Sequence, residues 1–176
     1  MIAPLTAFSS LDELDPTQWD ALVLVCGPSL DNLPESLSAT IETAQKIDEQ
    51  TGKSLQIHAC EQAPGHRLIL SPTGSLDRDE NDVRRIARAA GNGVIRAREA
   101  GARRPVIMLL NVDEEARYAE ALPNALLGAY HALWEPLEAR ESLGEKTTEP
   151  IEALGFVCAD QEKATEVSTW VQALEA

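Results

Sequence analysis

At 176 residues the chain has the length of one domain, enough to bury a full core without metal or disulfide. Apolar residues make up 44% and charged residues 25%, which excludes a disordered chain. The formal net charge of −14 argues against nucleic acid or an anionic membrane surface as a partner.

Ile2 to Phe8 alternates weakly and suits an edge strand, where Pro4 is tolerated. Ser9 to Gln18 is a polar loop. Ala21 to Cys26 is a continuous apolar run ended by Gly27-Pro28, the pattern of a strand buried on both faces. Pro34 to Gln50 reads as a helix, with Pro34 in the first turn, an apolar face of Leu37, Ile41, Ala44 and Ile47, and Gly52 as its C-cap. Ser54 to Cys60 and Arg67 to Leu70 are short strands, and Ala63-Pro-Gly-His66 is the hairpin turn between them.

Asn81 to Ala102 forms the next helix, opened by a capping arrangement of Asp77 and Glu80, with Val83, Ala87, Ala90, Val94 and Ala97 at helical spacing. Gly91 and Gly93 cost helix stability and are expected where the helix crosses close over the sheet, or at a kink. Pro105 to Leu110 is the second fully buried strand, and the organising element of the chain. Asp113 to Ala121 is a short helix. Pro123 breaks it or opens the next one, Asn124 to Glu135, with Leu126, Leu127, Tyr130 and Leu133 or Trp134 inward. Pro136 ends or bends that piece, and Ser142 to Glu149 is a polar loop. Ile151 to Ala159 is the last strand, and Asp160 caps a final helix with Ala164, Val167, Val171 and Leu174 on its face. Strands alternating with amphipathic helices predict an α/β domain, a sheet with helices on both faces, and the close strand pair between Ser54 and Leu70 makes the sheet mixed.

No set of residues announces a reaction. Gly91-Asn-Gly93 lacks the third glycine and the preceding strand of a dinucleotide loop, so packing explains it better. Ser71-Pro-Thr-Gly-Ser75 lies between a strand and a helix, where backbone N–H groups can cradle an anion, but it has no phosphate-loop lysine and an ordinary turn is favoured. His58 and Cys60 share one strand face, yet two ligands do not make a zinc site and a core cysteine beside a partly buried histidine is the simpler reading. Asp113-Glu-Glu115 is a helix N-terminus. The three cysteines, Cys26, Cys60 and Cys158, form no framework and point to reduced thiols in the cytosol. The amino terminus has no basic n-region and no apolar run is long enough to span a bilayer.

Eight of the fifteen Lys and Arg residues fall between Arg78 and Arg104, so a basic face survives in an acidic chain. Such a face is usually just solvated. The alternative is a docking surface in which Arg84, Arg88 and Arg96 meet an acidic partner.

Three stretches carry a family resemblance: Ala89-Ala-Gly-Asn-Gly-Val-Ile-Arg-Ala-Arg-Glu-Ala-Gly101, the strand Pro105 to Leu110, and Asn124-Ala-Leu-Leu-Gly-Ala-Tyr130. Together they resemble the amino-terminal domain of the leucine (cytosol) aminopeptidase family, with matching element order from about Ala21 to Ala176. Where the common family has an aromatic-Asp-x-Tyr-Lys run, this chain has His131-Ala-Leu-Trp-Glu-Pro-Leu-Glu-Ala-Arg-Glu141, which is similar to a divergent branch named "putative aminopeptidase". The resemblance implies a macro-domain-like three-layer α/β/α sandwich and a final segment, 160–176, serving as a connecting helix toward a catalytic domain. It also implies a hexamer, and two divalent ions, zinc or manganese, in that other domain. The family's Asn-Thr-Asp-Ala-Glu-Gly-Arg signature is absent, so no catalytic, cofactor-binding or metal residue carries over, and no cofactor is expected in this segment. The expected partners are its own catalytic domain and other subunits, in the cytoplasm. The rival readings are a macro-type module for ADP-ribose or a related nucleotide, and a free-standing interaction domain.

Overall fold

A computed structural model of the chain describes residues 3–76, 83–112, 120–134, 151–158 and 160–174. Its centre is a six-stranded sheet in the order β1-β6-β5-β2-β4-β3. The strands are β1 (Leu5–Phe8), β2 (Ala21–Cys26), β3 (Gln56–Ala59), β4 (Arg67–Pro72), β5 (Pro105–Leu110) and β6 (Leu154–Val157). The two apolar runs occupy the middle. β2 and β5 pair in parallel from Ala21↔Pro105 to Cys26↔Leu110, and all six residues of β2 are buried. Pro105 is tolerated because it opens its strand. Just before it, the Asp20 carboxylate accepts the N–H groups of Arg103 (2.7 Å) and Arg104 (2.9 Å), which pins the start of β5 beside β2. β3 runs antiparallel to β4 through a tight turn at Pro64–His66, so the sheet is mixed as expected. Gly65 (φ 56°) is required there, since a Cβ would lie 2.2 Å from the Asp20 carbonyl oxygen.

Four helices among the described residues cover the sheet: α1 (Glu35–Ile47), α2 (Val83–Glu99), α3 (Ala121–Leu133) and α4 (Gln161–Leu174). Alternating side chains split the core in two. On one face Val23, Val25, Ile69, Ile107, Leu154 and Phe156 pack under α2, α3 and α4. On the other, Leu22, Leu24, Cys26, Leu68, Leu70 and Val106 pack under α1, through Leu37 and Ile41, and under the loop after β1. The result is a three-layer α/β/α sandwich.

The glycines of α2 explain its close seating. A Cβ on Gly93 would stand 2.4 Å from Val23 on the sheet, and one on Gly91 2.9 Å from the Gly128 carbonyl oxygen. Gly128 answers from α3, where a Cβ would come within 2.1 Å of the Ala87 carbonyl oxygen. The tyrosine that ends this motif, Tyr130, donates to the Ala3 carbonyl (3.1 Å) and ties α3 to the lead-in of β1. Asp160 caps α4 as predicted, accepting the Lys163 N–H at 2.9 Å.

Some side chains depart from the expected faces. Ile47 is 82% exposed because α1 ends there, past the edge of the core. Leu127 (43% exposed) points to solvent, since α3 turns Leu126 and Tyr130 inward; of Leu133 and Trp134 it is Leu133 that packs on the core, while Trp134 is 61% exposed. In the first turns of α2 the deeply buried residue is Ile86, while Val83 and Ala87 are half-buried. Of the two alternatives for Pro123 the second holds: it lies in the first turn of α3, where its missing N–H costs nothing. The Asp77–Glu80 cap, the Asp113 to Ala119 segment, the bend at Pro136 and the loop from Ser142 to Glu149 lie outside the described residues, as do the side chains of Val171 and Leu174.

Candidate binding cleft and the basic helix face

Parallel strands present their carboxyl ends at one edge of a sheet, and ligands of open α/β sheets bind there. In this chain β2 is flanked by β4 on one side and β5 on the other, both parallel to it, so the strand order changes direction at β2. The crevice between the ends of β2 and β5 is filled by the protein itself. The Gly27 N–H donates to the Leu110 carbonyl at 2.7 Å, and a Cβ on Gly27 would lie 1.8 Å from the Asn111 carbonyl oxygen. Asn111 adopts φ 54° and its Nδ2 donates to the carbonyl of Asp31 (2.6 Å) and to the carbonyl and hydroxyl of Ser29 (3.3 and 3.2 Å). This loop lock was not read from the sequence. An asparagine directly after a buried strand was its signal, because asparagine tolerates the left-handed conformation.

An open cleft of about 640 Å³ lies beside it, on the α1 face. A single helix cannot cover six strands, and the rest of this face is closed by the loop after β1, held by Trp19 packed edge-on against Phe8 at 5.5 Å. The cleft is the gap between that loop and α1. Met108, Val157 and Leu11 give it apolar surface, while Ser9, Ser10, Asp12, Glu35 and Ser36 are polar. Glu13 holds the loop by accepting the Ser9 N–H at 2.8 Å. Among the described residues the lining holds no histidine, cysteine or basic side chain, and so no histidine–nucleophile pair and no cation for a phosphate.

The other sequence candidates do not converge on it. Ser71 donates its hydroxyl to the Ala89 carbonyl (2.7 Å), and Thr73 commits its N–H to the Cys26 carbonyl (2.8 Å) and its hydroxyl to the Gly74 carbonyl (2.9 Å). The loop thus behaves as a structural turn. Cys60 is buried and accepts from the Thr40 hydroxyl at 3.4 Å, whereas His58 pairs with Gln56 at 3.2 Å. Burial lowers the His58 pKa, partly opposed by Asp48. Burial pushes the Cys26 thiol up to about 12 and raises that of Cys158, which keeps both protonated. Among the described residues, no three His, Cys, Asp or Glu side chains stand together where they could hold a metal ion.

Arg84, Arg88 and Arg96 all lie on α2, but not on one line. Arg84 and Arg88 are exposed; Arg96 is half-buried, a third of a turn round the helix. Arg103 and Arg104, in the same basic stretch, instead bind Glu152 at 3.5 and 2.8 Å.

No family model matches the chain. A Caenorhabditis elegans protein named a putative aminopeptidase is 33% identical over 114 residues, which is 64% of this chain and 21% of the relative. The chain therefore spans about a fifth of that protein's length. Tomato leucine aminopeptidase, as a mutant, superimposes with a TM-score of 0.56 at 15% identity, over 97% of this chain and 36% of that one. The macrodomain of Thermus aquaticus DarG gives 0.53 at 14% identity, over 89% of this chain and 98% of that one. The fold is α/β and macro-domain-like. With a sequence match to an aminopeptidase-named protein and a fold match to leucine aminopeptidase, the chain resembles the amino-terminal domain of the leucine aminopeptidase family.

Proposed function

We propose that this chain is a non-catalytic amino-terminal domain of a leucyl-aminopeptidase-like metallopeptidase, supporting subunit assembly and controlling access to a catalytic chamber built elsewhere. The observation that carries this is the 33% identity to an aminopeptidase-named protein through most of the chain. Hydrolysis by two zinc or manganese ions needs several convergent carboxylates or imidazoles around an activated water. The described residues do not fit such ions: His58 faces Gln56, Cys60 faces Thr40, and the cleft offers Asp12 and Glu35 without a third ligand. The metals belong to the catalytic domain, and the partners are that domain and further copies, in the cytoplasm. The test is the purified chain with a leucine anilide and added zinc or manganese. No turnover above the metal-only blank is expected; turnover abolished by a chelator overturns the reading.

The macrodomain likeness favours a second reading, a module for ADP-ribose or a related nucleotide. The filled crevice at Gly27 and Asn111 opposes it, because a pyrophosphate needs close approach to free backbone N–H groups. Calorimetry with ADP-ribose should show no heat of binding, and micromolar affinity would move this reading to first place. A free-standing interaction domain predicts neither activity.

A further inference from the structure

Two carboxylates line the cleft from its two walls. Asp12 belongs to the short turn Leu11–Glu13 in the loop after β1, and Glu35 is the first residue of α1. Both are exposed, and neither has a hydrogen-bond or ion-pair partner among the described residues. Glu13, next to Asp12, is by contrast committed to the Ser9 N–H. The floor between the walls is apolar. Met108 of β5 and Val157 of β6 are direct neighbours in register and form it, and Leu11 adds to it from the loop. Each acid suits the start of its own helical turn, but that local reason does not account for an apolar floor left open between them.

We infer that the cleft takes an aliphatic polyamine, with one ammonium group at Asp12, another at Glu35, and the methylene chain between them on Met108 and Val157. Other ligand classes fit worse. A nucleotide or other phosphate would meet two carboxylates and no basic side chain. A divalent metal ion takes about six hard oxygen ligands, and the thioether and aliphatic carbons of the floor supply none. A purely apolar ligand would desolvate the carboxylates without pairing them. A polyamine answers each part of the lining, since the hydroxyls of Ser10 and Ser36 can accept the remaining ammonium protons. The volume of about 640 Å³ lies inside the roughly 300–1,000 Å³ of small-molecule sites. The net charge of −14 draws cations toward the surface.

This site does not depend on the accessory-domain role, and the leucine anilide assay bears on neither its presence nor its absence. The test is calorimetry of the 176-residue chain with spermidine at low salt. Saturable binding of one molecule is expected, with a Kd of roughly 0.1–1 mM that weakens as salt rises. Asp12→Asn and Glu35→Gln should each weaken it about fivefold. Glu42→Gln, the same charge change farther along α1, should leave it unaltered. All three residues are exposed, so the variants should keep the parent circular dichroism spectrum. Butylamine, with one ammonium group, and magnesium, with two charges but no methylene chain, should each bind at least about tenfold more weakly than spermidine. No saturation below about 10 mM spermidine, an affinity indifferent to Asp12→Asn and Glu35→Gln, or butylamine or magnesium binding as well as spermidine overturns the proposal. Indifference to the two cleft variants would leave only the diffuse attraction of cations to an acidic chain.

Discussion

Ile107 and Met108 are neighbours on β5 and face opposite sides of one sheet. Ile107 is fully buried beneath the α2–α4 layer, where glycines let backbones touch. Met108 is half-buried and forms part of the cleft wall beside α1. The three-helix side has been closed by small residues at helix crossings. The one-helix side has been closed by a loop, and loops leave gaps. Packing on the first side is sensitive to single atoms, while the second has room for change and for ligands.

The widest split should come from truncating those two neighbours. Ile107→Ala should cost about 4 kcal/mol and Met108→Ala about 1–2 kcal/mol, because the cleft already exposes part of the methionine and can relax. Urea unfolding of both variants measures the difference, and equal losses would break the contrast between the faces. Next in size is Gly128→Ala. Its methyl would land 2.1 Å from the Ala87 carbonyl oxygen, and overpacking of that kind costs about 3 kcal/mol. A variant as stable as the parent would mean that α3 can slide off α2, removing the rigidity assigned to that side.

The smallest effect belongs to His58, on the edge strand β3. Its folded pKa is lowered, chiefly by burial, below the ordinary value of 6.5. The unfolded chain therefore binds the proton more readily, and this contribution is present above about pH 6.5 and lost as pH falls through the folded pKa. The expected loss is below about 1 kcal/mol, since a side chain this exposed is screened by water. Stability measured from pH 7.5 down to pH 5 should fall less steeply in His58→Gln. An unchanged slope would assign the acid sensitivity to carboxylates instead.

Much of the fold was legible from the chain. β2 and β5 are uninterrupted apolar runs bounded by glycine, proline and asparagine, a pattern that suits an interior strand; β2 is buried throughout, whereas Met108 and Leu109 of β5 stay half-buried. The Asp160 cap and the hairpin turn at Gly65 are local events, fixed within a few residues. The site was much less legible. Ser71 and Thr73 looked like an anion loop in isolation, yet their partners, Ala89 and Cys26, come from elsewhere in the fold. The Asn111 lock joins residues about 80 positions from it, and no short-range pattern encodes such a contact.

Helical faces show where the boundary lies. Spacing correctly placed Leu37, Ile41, Ala90, Val94 and Ala97 inward. It misplaced Ile47 and Leu127, because the width of a buried stripe depends on how many neighbours a helix has. Composition and periodicity by themselves determined the α/β class, the two central strands, the mixed sheet and the basic character of α2, since each follows from backbone sterics and the burial of apolar runs. Tertiary structure alone decided which side of the sheet each helix covers, that the crevice at β2 and β5 is filled, and that Leu127, Trp134 and Trp170 stay exposed. Those outcomes depend on strand order and helix neighbours, which bring distant residues together and leave no mark in local sequence.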